Sequence, residues 1–302
     1  MFSAGEAERL LMIFTGGRVA QNRKNWLAAT VAGAALAALS GPALSAGIDS
    51  LRPHLAVYDV NLLDASDRTG INDMRGRIVY EMTGSKCEGF AVRYRFLLNV
   101  QTGRKTMVTD QRSTSFEAGD GKSFSFVQQS YLNGQLEKDL RGKAHRSAGS
   151  TEVEISKPAE QKLSLGNSVF MAQHMGMIVD AALAKESIVE AKVFDGSDEG
   201  DAVMNTTAII GAQKSQAISV EGEPKAVADQ FSGTAVWPVS VSYFTDDDSQ
   251  NAGEKLPVYQ VSFLMHETGV SRDLKLRYTD YSLKGQLTKF EYLDYQACKD
   301  DQ

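Results

Sequence analysis

Apolar and polar residues alternate along most of this chain. The clearest run is Phe90, Val92, Tyr94, Phe96, Leu98 and Val100, with Ala91, Arg93, Arg95, Leu97 and Asn99 between. Apolar positions at a period of two describe a strand with one face in a core. The period returns at Ala56, Tyr58, Val60 and Leu62, at Ile78, Tyr80 and Met82, and at Val153 and Ile155. It recurs at Val239, Val241 and Tyr243, at Tyr259, Val261, Phe263 and Met265, and at Val270, Leu274, Leu276 and Tyr278. A last strand holds Phe290 and Tyr292. Turn signals separate the runs. Asn133-Gly134 suits a two-residue hairpin because both residues tolerate positive φ. Thr102-Gly103, Gly119-Asp120-Gly121, Asp195-Gly196, Thr268-Gly269 and Lys284-Gly285 do similar work. Strands joined by short turns pair antiparallel. About a dozen strands are too many for one flat sheet, so the chain is expected to curl or close. Segments 142–151 and 246–255 read as polar loops, and 211–235 as loop with some strand.

One stretch changes period. Over residues 168–185 the apolar positions are Val169, Phe170, Met171, Met175, Ile178, Val179, Ala182 and Leu183, spaced by threes and fours as on a helix face. Asn167 or Ser168 is the expected cap, and Gly176 permits close packing. A lone apolar helix among strands is expected to plug or line the curved sheet.

The N-terminal residues change the picture of where this fold works. Arg23-Lys24-Asn25 precedes a 14-residue apolar run at 26–39, then Ser40-Gly41-Pro42-Ala43-Leu44-Ser45-Ala46. This is the layout of a cleaved secretory signal. A helix of that length falls short of a hydrocarbon core about 30 Å thick. Residues 1–46 are therefore assigned to a signal peptide, with Met12 as a second candidate start, and 47–302 to a single β domain. The leader carries four basic and two acidic side chains, so its removal takes the net charge from −6 to −8. An acidic exported domain has no chain-wide attraction to nucleic acid. No later apolar run reaches spanning length, so the mature protein is expected to be periplasmic and not membrane-spanning. The only cysteines are Cys87 and Cys298. In an exported chain an even count favours a disulfide over two buried thiols. Such a bond would fasten the C-terminal strands onto an early strand and hold the curled sheet at its seam.

Candidate chemistry is sparse. His54, His145, His174 and His266 are scattered, with no second His or Cys at metal-ligand spacing. No Gly-x-Ser-x-Gly elbow is present, and Gly121-Lys122-Ser123 lacks the earlier glycine of a phosphate loop, so it reads as a hairpin turn. Segment 195–201 places oxygen side chains and glycines as a calcium loop does, but Thr206 stands where the bidentate carboxylate belongs. No catalytic residue, metal site or cofactor is assigned. Arg93 and Arg95 share the less apolar face of the clearest strand. They would suit a carboxylate or phosphate if that face lined a cavity, and otherwise form an ordinary charged surface. Phe170, Met171, His174 and Met175 on the helix complete the candidate ligand-binding set; methionines adapt to flexible chains, or simply fill a core.

Three stretches carry a family resemblance: Thr83-Gly84-Ser85-Lys86-Cys87-Glu88-Gly89-Phe90, Val193-Phe194-Asp195-Gly196-Ser197-Asp198, and the C-terminal meander from Tyr281 to Cys298. With them the chain resembles the EipB family of periplasmic cell-envelope integrity proteins. Where that family has Phe-Pro ahead of a histidine, this chain has Phe170-Met171. The resemblance implies a spiral, open antiparallel β-barrel, the same disulfide pair, and a role in envelope maintenance without established catalysis. The leading expectation is a non-catalytic periplasmic protein that binds an envelope protein, a lipid or a peptidoglycan-associated component. The alternative is a lipid or lipoprotein carrier with an acyl cavity. A carboxylate hydrolase is the third possibility, though no carboxylate pair stands out.

Overall fold

The structure, a computed structural model, describes residues 47–302 apart from 104, 198–199, 215–217, 246–255, 297 and 299–302. The assigned leader and the loop at 246–255 thus lie outside the described residues. A short helix α1 (Gly47–Ser50) leads into β1 (His54–Ala65), β2 (Ile71–Ser85), β3 (Gly89–Thr102) and β4 (Lys105–Glu117). β5 (Ser123–Leu132), β6 (Gln135–Ser147), β7 (Ser150–Lys157) and β8 (Gln161–Gly166) follow, then helix α2 (Met171–Leu183). The second half holds β9 (Ile188–Val193), β10 (Met204–Ile210), helix α3 (Lys225–Ala228), β11 (Val236–Thr245), β12 (Tyr259–His266), β13 (Ser271–Tyr278) and β14 (Tyr281–Tyr292).

All these strands form one sheet, in the order β8-β7-β6-β5-β4-β3-β2-β1-β14-β13-β12-β11-β10-β9, with antiparallel neighbours throughout. The first and last strands lie side by side at its centre, His54 opposite Tyr292. The edges, β8 and β9, come from mid-chain. Strand twist makes so wide a sheet coil, and its edges approach without pairing. Val169 is the link: its N–H donates to Lys192 O (2.8 Å) and its carbonyl accepts from Phe194 N–H (2.9 Å). The result is an open, curled sheet.

Alternation decides what lies inside. On β3, Phe90, Phe96, Leu98 and Val100 are buried while Arg93, Arg95 and Leu97 face out. The main core joins β1–β3 to β10–β14 and to α2 through Ile178, Val179 and Ala182. A second cluster lies inside β5–β8, where Phe124, Phe126, Leu140 and Ile155 meet Phe170, Phe194 and Val203. Gly196 (φ 72°) and Gly200 (φ 71°) press onto it. A Cβ on Gly196 would stand 2.6 Å from the Phe126 ring, and one on Gly200 2.7 Å from Ile155. The calcium-like stretch thus packs its backbone against the second core. Asp195 Oδ1 accepts Ser197 N–H at 2.8 Å; Asp198 and Glu199 lie outside the described residues.

Several expectations are corrected. The stretch 142–151 is the β6–β7 hairpin; its inward positions, Ala144 and Thr151, are buried, but its outward positions and turn are polar enough to mimic a loop. The stretch 211–235 contains α3, a 3-10 turn at Asp229–Phe231 and an isolated bridge from Lys214 to Val236. The disulfide between Cys87 and Cys298 is present, with Cα atoms 5.7 Å apart. It does not close the seam: it ties the β2–β3 turn to the chain beyond β14, across β1, at the middle of the sheet.

Candidate functional site

Helix α2 lies across one end of the curled sheet. Its N-cap, Phe170, offers no side-chain cap, and neither Asn167 nor Ser168 serves. Ser168 instead bonds Thr151, Oγ to Oγ1 at 2.8 Å. Glu117, at the end of β4, takes over: Ala172 N–H donates to its Oε2 (2.7 Å) and Gln173 N–H to its Oε1 (3.0 Å). A carboxylate there satisfies two free N–H groups and faces the positive end of the helix dipole. Burial nevertheless raises the Glu117 carboxyl to about 7, against the pull of those N–H groups and of Arg146. Arg146 steadies the corner by donating to Gly121 O (3.1 Å) and to Gln173 Oε1.

The candidate helix residues point in different directions. Phe170 is fully buried in the second cluster, stacked on Phe124 at 5.0 Å. Met171 is exposed. His174 is buried, with Nε2 3.1 Å from Thr206 Oγ1, and burial lowers its pKa to about 4. Met175 packs against the main core and approaches Gly269 in the β12–β13 turn. These four side chains thus have different surroundings. Arg93 and Arg95 stand on the outer face, away from the interior. Arg93 Nη1 donates to Glu81 Oε1 at 2.9 Å; Arg95 holds Asp110 through Nε and Nη2 at 2.8 and 2.9 Å. Burial would raise the Asp110 carboxyl, but Arg95 and Arg112 outweigh it and hold it below its ordinary value.

The outer face carries a groove of ≈ 650 Å³ that sequence reasoning missed. Ala91, Phe116, Ser125, Lys143, Glu154 and Lys162 are successive register partners from β3 to β8, and together they form one row along it. Thr114, Val127 and Arg141 form part of a second row. At one end the Phe116 ring is 42% exposed, lying over Gly89. At the other, Glu154 sits between Lys143 (2.8 Å) and Lys162 (3.0 Å), which hold its carboxyl down at about 2. The row was hidden because its members lie on six strands and meet only through register. The one local signal was Phe116, an aromatic residue in the polar phase of β4.

At the other side of the core, Arg272 bonds Glu223, with Nε 2.8 Å from Oε1, and lies over the Phe231 ring at 4.8 Å. It also donates to His266 Nε2, whose pKa is lowered to about 3 by burial and then by Arg272 itself. This network is sealed inside and fastens 218–234 to the barrel end. Among the described residues no group of three or more His, Cys, Asp or Glu could hold a metal ion. No described helix is long and apolar enough to cross a membrane.

One coiled antiparallel sheet, closed at an end by a helix and tied by a single disulfide, defines a barrel-like β protein with an open seam. The chain belongs to the EipB-like family, whose model matches residues 45–294. It is 36% identical over 272 residues to the cell envelope integrity protein EipB of Brucella abortus (strain 2308), covering 89% of this chain and 95% of that protein. It also resembles the crystal structure of a beta-barrel-like protein of the domain of unknown function DUF1849 from Brucella abortus. There the TM-score is 0.74 at 36% identity, over 81% of this chain and 99% of that one.

Proposed function

We propose that this chain is a periplasmic protein that supports cell-envelope integrity without catalysis, by binding another envelope component in its outer groove. The observation that carries the reading is the groove itself, with an exposed aromatic at one end and the Lys143, Glu154 and Lys162 cluster at the other. Apolar contact combined with a few placed charges is the usual composition of a recognition surface. Membership of a family that includes an envelope integrity protein supports the same reading. The carrier alternative has less behind it, because Met175 and Met177 pack against the main core and Met171 is exposed.

A strain lacking the protein is expected to become sensitive to detergent and to cell-wall-active antibiotics. Wild type should restore resistance, and a folded Phe116→Ser/Lys162→Glu variant should not. A deletion strain as resistant as its parent, or full rescue by that variant, would overturn the reading.

A further inference from the structure

The two edges of the sheet are not alike. On β8 the outer face is polar: Lys162, Ser164 and Gly166 are exposed there. A lysine on so short an edge discourages a further strand. The other edge, β9, differs along its length. Its second half is occupied, because Lys192 O accepts Val169 N–H and Phe194 N–H donates to Val169 O. Its first half has no neighbouring strand on the open side among the described residues. The Val169 bonds also fix the phase of the ladder. Lys192 and Phe194 turn main-chain groups to the open side, so alternation gives Ile188 and Glu190 the same direction. Ser187, one position out of phase, points the other way: its carbonyl accepts Ile210 N–H at 2.8 Å. The N–H and C=O of Ile188 and Glu190 therefore face away from β10, in strand geometry, at exposed residues.

The side chains at this edge are apolar where solvent meets them. Ile188 and Ile209 are register partners on the outer face, 59% and 57% exposed, while Val189 and Ala208 join the main core on the inner face. Leu183, at the end of α2, is also exposed. Beyond Ile209 the row continues to Ser240; beyond Ile188 it stops at the sheet edge. One more strand would cover Ile188 and bond the main-chain groups of both edge-facing residues. Those groups select the occupant. A lipid or a glycan can cover isoleucine, but only a polypeptide backbone repeats donors and acceptors at the spacing of a strand. The side chains narrow the choice. An apolar residue matches Ile188, and a basic one two positions away on the same face matches the exposed Glu190. A second copy of this chain is a poor match. In twofold antiparallel pairing centred on residue 188, 189 or 190, Glu190 would stand opposite Glu186, Ile188 or Glu190 of the copy.

We propose that the first half of β9 is a docking edge for an extended segment of a partner polypeptide, which adds as a further strand with an apolar residue against Ile188 and a basic one against Glu190. This surface is distinct from the outer groove, none of whose lining residues lies on β9 or β10. The probe is the acetylated and amidated heptapeptide Thr-Lys-Thr-Ile-Thr-Lys-Thr, which presents the same pattern in either strand direction. It is titrated into the intact, isotope-labelled protein, and NMR reads the amide shifts and hydrogen exchange of Ile188 and Glu190. Saturable shifts are expected at both amides, with slower exchange in the complex. Glu190→Lys and Ile209→Ser should each weaken binding about fivefold, the scale of one cross-strand contact. The groove substitution Phe116→Ser should leave it unchanged, and each variant's melting temperature reports whether it is folded. The same peptide N-methylated at Ile and at both adjacent Thr keeps its side chains but loses the strand donors, and should not bind. No response at millimolar peptide, equal binding of the N-methylated peptide, or indifference to both β9–β10 substitutions in folded protein would each overturn the proposal. So would protection of the same amides that grows with protein concentration in the absence of peptide, which would assign this edge to a second copy of the chain.

Discussion

Glu117 is where single-residue chemistry bears most directly on this fold. Its carboxylate holds the N-terminus of α2 from another strand, at the cost of burying a charge. Its folded pKa of about 7 lies above the ordinary 4.5. The folded state therefore binds more protons than the unfolded state between those values, and this group's contribution is lost as pH rises through about 7. The buried His174 acts in the opposite sense. Its lowered pKa, about 4, leaves its contribution intact above about 6.5 and loses it as pH falls. The two overlap below pH 6.5, so the clean comparison is between wild type and Glu117→Gln, which mimics the protonated acid. The melting temperature of the variant, relative to wild type, should rise steadily from pH 5 to pH 8 in calorimetry. A constant difference would mean that Glu117 does not titrate in that window.

Among the elements, the 194–203 connection is the most exacting. It lays glycine backbone on aromatic rings, with Gly196 at φ 72° and no room for a Cβ beside Phe126. Gly196→Ala is expected to cost about 2 kcal/mol, from left-handed backbone strain plus overpacking. A thermal melt indistinguishable from wild type would contradict that packing. The same connection shows what could be read in advance. The alternation of Phe90 to Val100 located β3 because one face is buried and the other is not. The spacing from Val169 to Leu183 located α2 for the same reason. Short-range signals failed where a partner came from far away. Asp195-Gly196 reads as a turn or a metal loop because Phe126 and Ile155, which explain Gly196 and Gly200, are distant in sequence. Asn167 and Ser168 suggest a local cap for α2, although Glu117 supplies it across 55 positions. Alternation puts Arg93 and Arg95 on one face, but only register shows that Glu81 and Asp110 stand beside them. The groove is a product of register alone.

For the molecule as a whole, the central pairing of β1 with β14 is the long-range commitment, and the disulfide reinforces it. Closing a loop of 211 positions removes unfolded-state entropy on the order of 5 kcal/mol in the loop-closure model. Because the bond straps the centre of the sheet, its reduction should lower the melting temperature while leaving far-UV circular dichroism unchanged at room temperature. Identical melting with and without reductant would show that the β1–β14 ladder needs no strap. The seam, by contrast, rests on Val169 and on the packing of Phe170 and Phe194.

The central position of β1 and β14 also means that the chain's order is not imposed by its architecture. Pro53 and Leu293 are already hydrogen-bonded neighbours, at 3.0 Å. A short linker joining these ends, with a new break between α2 and β9, would leave every strand pairing in place. The strand order along the chain would then match the order in the sheet, from one edge to the other. Read in that way, the natural chain is a single continuous meander whose ends have been moved from its rim to its middle.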